Sequence, residues 1–171
     1  EATYPAKGKE LGWRKLDTVA LDGITDLSTV VRPNSEAVAY ALGFLETSEE
    51  GRANLSIGAS GAFRLWVNGT LALSEDRYNL ARPDQARVSV KLRKGLNRVL
   101  VKVCQERGPL GFYLRAERGD GSTVAPRAAL PSTLPPLEKG ASPQPQGLPT
   151  VTTLLEREVK KTPNDPTLHA E

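Results

Sequence analysis

Residues 88–103 read VSVKLRKGLNRVLVKV, and their pattern decides the fold class. Val88, Val90 and Leu92 alternate with Arg87, Ser89, Lys91 and Arg93, the period of a strand with one apolar and one wetted face. Lys94-Gly95 makes a short turn, and residues 97–104 then run almost continuously apolar through Val99, Leu100, Val101 and Val103. Such a run predicts a central strand, covered on both sides for part of its length.

The same rhythm extends in both directions. Upstream, Phe63, Leu65 and Val67 alternate up to Asn68-Gly69, two residues that tolerate positive φ and so predict a tight hairpin returning through residues 70–74. Trp66 falls out of phase with these three and is expected to point away from the main core, toward solvent or beneath a covering loop. Ala53, Leu55 and Ile57 form an earlier alternating run, and Val38, Tyr40, Leu42 and Phe44 share one face of another. Residues 13–19 suggest a first strand, and residues 20–34 an irregular stretch with turns at Asp22-Gly23 and Arg32-Pro33-Asn34. Downstream, Phe112, Leu114 and Ala116 alternate with Tyr113, Arg115 and Glu117 before Asp120-Gly121.

β-branched residues recur throughout, and no run in this region has a helical period. The expected fold is all-β, a jelly-roll-like antiparallel β-sandwich over residues 11–124, after a loose ten-residue lead-in. Residues 125–149 then change character, with seven prolines among Ser, Gly and Gln, and read as a stiff linker unable to form a core. In residues 150–171, Val151, Leu154, Leu155 and Val159 continue a stripe begun at Leu148. This predicts a C-terminal helix, capped by Thr150 or Thr152 and stopped at Thr162-Pro163.

Composition bounds the function. The chain has 171 residues, 39% of them apolar and 25% charged, with a formal charge of +3, enough for one domain with a real core. No window approaches a membrane span. The start, Glu1-Ala2-Thr3-Tyr4-Pro5, lacks an initiator Met and the basic and apolar regions of a signal peptide, so the expectation is a piece of a longer chain, with any targeting segment out of view. One cysteine, Cys104, excludes an intramolecular disulfide without excluding export, and is expected to act as buried filler.

Two resemblances rest on these residues. Residues 55–73, LSIGASGAFRLWVNGTLAL, with residues 88–103 and GFYLRA at 111–116, resemble the jelly-roll modules of the galactose-binding-like group. Such modules are attached to many glycoside hydrolases and other multidomain proteins, which implies an accessory carbohydrate-binding-type role in a larger bacterial-type protein, at the envelope or exported. The resemblance is carried by Leu65-Trp66-Val67-Asn68-Gly69 and by Leu92, Gly95, Asn97, Val99, Val101, Lys102 and Val103. It implies that Gly95 makes a turn and that the Asn97 side chain ties the loop to neighbouring backbone. The tail, residues 154–171, is similar to a junction between tetratricopeptide-type helices at Pro163, Asn164, Asp165 and Pro166.

Patterns for chemistry are sparse. With His169 the only histidine and Cys104 the only cysteine, HExxH and paired CxxC metal motifs are ruled out, and a Ser-His-acid site would need the tail to reach the sandwich. No enzyme, cofactor or metal is expected. A structural calcium site would require Asp22, Asp26, Glu75, Asp76 and Asp84 to converge, and nothing in their spacing indicates it. Trp66, Tyr78, Trp13 and Tyr113 are the candidate ligand-binding residues, because a pyranose stacks on an exposed indole or phenol. Arg87, Lys91, Arg93, Arg98 and Lys102 form a candidate basic patch, read as a solvated face or as a site for an anionic partner. Nucleic acid is disfavoured, since only Tyr78 offers an aromatic platform there. The expected partners are carbohydrate or neighbouring protein domains.

Overall fold

The computed structural model describes residues 4–6, 8–16, 23–127, 131–137 and 146–148. Its alternating runs become strands, and the strands stack in two antiparallel sheets. In chain order the strands are β1 (Tyr4–Ala6), β2 (Lys9–Leu11), β3 (Thr25–Asp26), β4 (Ala37–Thr47), β5 (Gly51–Ala59), β6 (Gly61–Val67), β7 (Thr70–Asn79), β8 (Ala86–Leu92), β9 (Gly95–Gln105), β10 (Gly111–Arg118) and β11 (Gln146–Leu148). One sheet has the order β11-β8-β5-β10-β3 and the other β4-β9-β6-β7, while β1 and β2 pair separately. The all-β, jelly-roll-like sandwich is therefore present.

The core lies between the two sheets. From one side Leu55, Ile57, Val88, Val90, Leu92, Phe112 and Ala116 point inward; from the other come Phe63, Leu65, Val67, Val99, Val101 and Val103. Burying such side chains stabilises by about 25 cal/mol per Å² of apolar surface. Asn68 and Gly69 both take positive φ, 52° and 95°, and join β6 to β7 as the tight hairpin their chemistry requires.

Two expectations change. The lead-in is not loose, because Tyr4–Ala6 pairs with Lys9–Leu11 around Gly8 at φ 75°. The strand expected at residues 13–19 has no pairing in its described part, residues 13–16, and residues 17–19 lie outside the described residues. Val38, Tyr40, Leu42 and Phe44 share a face of β4, as expected, and it is the outer one. Ala37, Ala39 and Leu45 face the core instead.

The Pro-rich stretch stays on the sandwich wherever it is described. Pro126 bridges to Leu45, Arg127 N–H donates to the Phe44 carbonyl (2.8 Å), and Pro135 is buried. Gln146–Leu148 then adds an edge strand to β8. The expected C-terminal helix, residues 150–171, and the tetratricopeptide-type junction within it lie outside the described residues.

Candidate functional site

At one end of the sandwich β7 and β9, the two neighbours of β6, both finish, and a depression of about 370 Å³ opens between their continuations. Its lining is Tyr78, Asn79, Leu80, Gln105, Glu106 and Arg107. The close approach that shapes it depends on Gly61, which pairs with Asn79 at φ 75°; a Cβ there would lie 2.1 Å from the Cys104 carbonyl oxygen. Gln105, itself buried, fixes the floor, donating from Nε2 to the Pro109 carbonyl (3.1 Å) and accepting from Glu106 N–H (3.2 Å). The opposite lip is held by Gln85, which donates to the Leu80 carbonyl (2.8 Å) and accepts from Ala59 N–H (2.9 Å). Tyr78 is 61% exposed on this framed rim.

The other candidate aromatics sit elsewhere. Trp66 is half-buried on the outer face of the four-stranded sheet, opposite Leu100. Tyr113 is half-buried on β10, out of phase with the core residue Phe112. Trp13 is 52% exposed in the segment after β2. The four therefore do not converge; only Tyr78 lies in a concavity. Its partners Asn79, Gln105, Glu106 and Arg107 were not legible, because they come from strand ends far apart in sequence that become neighbours only through the sheet order.

The basic residues are also divided. β8 belongs to the five-stranded sheet and β9 to the four-stranded one, so Arg87 and Lys91 lie on the opposite side of the sandwich from Arg98 and Lys102. Arg87 Nε donates to Ser56 (3.1 Å), and Lys91 pairs with Glu50 at 2.7 Å. Nearby, Arg115 bonds both Asp84 and Glu117, and its guanidinium pKa is raised first by the Asp84 hydrogen bond. The Lys102 ammonium stands 5.8 Å from the Tyr40 ring centroid, a cation–π distance.

Arg93 and Arg98 serve the opposite rim, where two buried asparagines knit the turns together. Asn97 Oδ1 accepts from Arg93 N–H (3.0 Å) and from Asn68 Nδ2 (2.8 Å), while its Nδ2 donates to the Arg93 (2.8 Å) and Gly95 (3.2 Å) carbonyls. Asn68 Oδ1 accepts from Arg98 N–H (2.9 Å). Gly95, at φ 86°, makes the turn. The guanidinium groups of Arg93 and Arg98 then each donate at 2.8 Å to the Pro136 and Pro135 carbonyls, strapping the Pro-rich stretch down.

The acids considered for calcium are spread out: Asp26 caps the short 3-10 turn Leu27–Thr29, Glu75 binds Arg77, and Asp84 binds Arg115. Arg77 holds the Glu75 carboxyl below the usual carboxylate range through its hydrogen bonds. Asp22 lies outside the described residues. Among the described residues no group of three or more His, Cys, Asp or Glu could hold a metal ion, and no helix is long and apolar enough to cross a membrane.

No protein-family model matches the sequence, and no curated protein does. Among solved structures, the chain is similar to the crystal structure of the PA14 domain of MpAFP antifreeze protein, at 17% identity and a TM-score of 0.41. The match covers 51% of this chain and 46% of that one, so the chain spans less than half the length of the structure it matches.

Proposed function

We propose that this domain is a non-catalytic accessory module of the galactose-binding-like kind, binding carbohydrate at the Tyr78 rim. The observation that carries the reading is the depression itself: an exposed phenol beside an amide (Asn79), a carboxylate (Glu106) and a guanidinium (Arg107). A sugar ring offers an apolar C–H face that stacks on an aromatic, and hydroxyls that both donate and accept, which planar polar side chains satisfy. A shallow, open site of this kind supports weak binding, with Kd on the order of 1 mM.

Calorimetric or NMR titration against neutral and acidic monosaccharides tests it. Tyr78→Ala is expected to weaken binding about tenfold or more, a loss near 1.4 kcal/mol. Because Tyr78 is mostly in water, its Tm should stay within about 2 °C of the parent. Absence of any saturable shift up to about 10 mM sugar overturns the reading.

A second role, positioning the chain that follows, is supported by the strap from Arg93 and Arg98 to Pro136 and Pro135. Arg98→Ala is expected to release residues 131–137, raising the rate of limited proteolysis within them several-fold while leaving sugar binding unchanged. Unaltered proteolysis there would remove the positioning role.

A further inference from the structure

A strand at the edge of a sheet presents unpaired N–H and C=O groups that recruit other strands, so long edges are normally guarded by charge, proline, a bulge or a covering segment. Among the described residues the edge strands are β3 and β11 in one sheet and β4 and β7 in the other. β3 and β11 are two and three residues long. β7 carries Glu75, Asp76 and Arg77, and its register with β6 shifts between Gly61 and Phe63 and again between Leu65 and Trp66. β4 has no such guard. Residues 37–45, AVAYALGFL, hold no charge and no proline, and all 11 residues of β4 pair with β9 without a bulge.

The hydrogen bonds show which groups of this edge are open. Leu45 pairs with Asn97 on one side and with Pro126 on the other, so Arg127 N–H reaches the Phe44 carbonyl (2.8 Å) on the side away from β9. In an antiparallel strand the N–H and C=O of one residue point the same way, and the side alternates from residue to residue. Val38, Tyr40 and Leu42 therefore face the same edge as Phe44. Their backbone groups have no partner there among the described residues. The approach is clear: Val38 is 53% and Tyr40 51% exposed, and nothing stands within 4 Å of where a Cβ on Gly43 would be.

This open set is symmetric about Tyr40. Laid antiparallel on a copy of itself with Tyr40 opposite Tyr40, the strand sets Val38 against the partner's Leu42 and Ala39 against the partner's Ala41. Each of Val38, Tyr40 and Leu42 then exchanges both its bonds, and no open group is left over. Apolar residues meet apolar residues on both faces. The edge beyond Leu42 is already taken by Arg127 at Phe44, which holds an incoming strand to the same short reach in each copy. That limit also brings Glu36 of one copy to the end where the partner's Arg127 lies, opposite charges at both ends of the contact. Such an isologous pairing closes, because each copy uses up the open edge of the other.

We propose that this edge is the interface of a symmetric dimer, β4 pairing antiparallel with β4 of a second copy about Tyr40, so that two four-stranded sheets become one of eight strands. It joins the exposed apolar residues of both outer faces, each Tyr40 ring keeping Lys102 at 5.8 Å. β4 begins beside Gln105, at the rim that holds the Tyr78 depression, so the twofold axis sets the two depressions at opposite ends of the joined sheet. The dimer goes beyond sugar binding and stands whether or not sugar binds.

A contact of one short strand pair lies at the low end of specific interface sizes. Sedimentation of the full chain is therefore expected to show a monomer–dimer equilibrium with Kd on the order of 10–100 µM. Val38→Glu, which sets an acid against the partner's Leu42, should weaken it about tenfold or more, and Leu42→Lys should do the same. Both changes in one chain should restore dimerisation, because each Glu then faces a Lys, a match that a register centred elsewhere does not give. Cross-linking in a Cys104→Ser background reads the register a second way. Tyr40→Cys places two thiols on facing residues with Cα atoms about 5.5 Å apart and should give a disulfide-linked dimer on mild oxidation. Val38→Cys should not, since its counterpart lies about 13 Å away along the strands. A chain that stays monomeric at about 1 mM overturns the proposal. A dimer that links equally well through Val38→Cys, or that the doubly charged variant does not restore, overturns it too by placing the contact elsewhere. None of these results alters the sugar titration of Tyr78→Ala, so the two readings fail separately.

Discussion

Replacing Asn97 by alanine will destabilise the domain by about 3–5 kcal/mol, a large share of the 5–15 kcal/mol that holds a domain of this size together. The side chain is fully buried and uses its whole hydrogen-bonding capacity: Oδ1 accepts twice and Nδ2 donates twice. Truncation removes all four bonds and leaves Arg93 N–H and Asn68 Nδ2 short of a partner, while the Arg93 carbonyl keeps the Thr47 hydroxyl at 2.7 Å. Each orphaned polar group at such a site costs about 1–3 kcal/mol. Asn97→Asp should be no milder, because an added carboxylate oxygen would face the Arg93 and Gly95 carbonyls without water. The expected fall in Tm is about 15 °C or more by calorimetry. Asn68→Gly, which keeps the positive φ but loses the side chain, should be markedly non-additive with Asn97→Ala, since the two share one bond. A Tm within about 3 °C of the parent for Asn97→Ala would show that the two turns hold together without this amide.

What made Asn97 legible is the turn grammar around it. Gly95 and Asn68-Gly69 are backbone requirements written directly in residue type, and Asn97, which the resemblance gives the role of tying a loop to neighbouring backbone, accepts from Arg93 N–H and donates to the Arg93 and Gly95 carbonyls. Val88, Val90 and Leu92 were legible for a related reason: their outward neighbours are charged or polar, so the two faces contrast. β4 offers no such contrast. Val38 and Tyr40 are larger apolar residues than Ala37 and Ala39, yet the alanines go inside, because the phase is set by pairing with β9. That register puts Ala39 beside Val103 and Tyr40 beside Lys102. Once a strand is apolar on both faces, its orientation is decided by its neighbour.

The basic patch failed to assemble for a topological reason. Lys94-Gly95 reads like any tight reversal, but the chain there passes from one sheet to the other, so charges a few residues apart end on opposite faces of the sandwich. The same crossing hides the Tyr78 site: Asn79 and Gln105 end strands whose common rim depends on the order β9-β6-β7, and no local pattern encodes that order. Short-range chemistry thus sets turns and strand phase where the faces differ. Sites built from strand ends depend on the closed arrangement.

That dependence can be tested at a distance from the site with Gly58→Ala. Gly58 lies in the middle of the buried run at the end of β5, and a Cβ built on it would stand 1.6 Å from the Arg82 carbonyl oxygen and 2.9 Å from Gln85 Oε1. Backbone cannot yield at 1.6 Å, so the connection carrying Arg82 must move away. Gln85 moves with it and loses its bonds to Ala59 N–H and the Leu80 carbonyl, the two that hold the lip of the depression. The stability loss is expected to be about 2–4 kcal/mol, from displaced packing and two hydrogen bonds. Sugar affinity should fall about tenfold or more although Gly58 lines no part of the depression, as positioning losses of about 1 Å commonly do. Gln85→Ala, which releases the same lip without the clash, should reproduce the loss of affinity at a smaller cost in stability, about 1–2 kcal/mol. If Gln85→Ala binds sugar like the parent while Tyr78→Ala does not, the framed rim is dispensable and the phenol alone carries recognition.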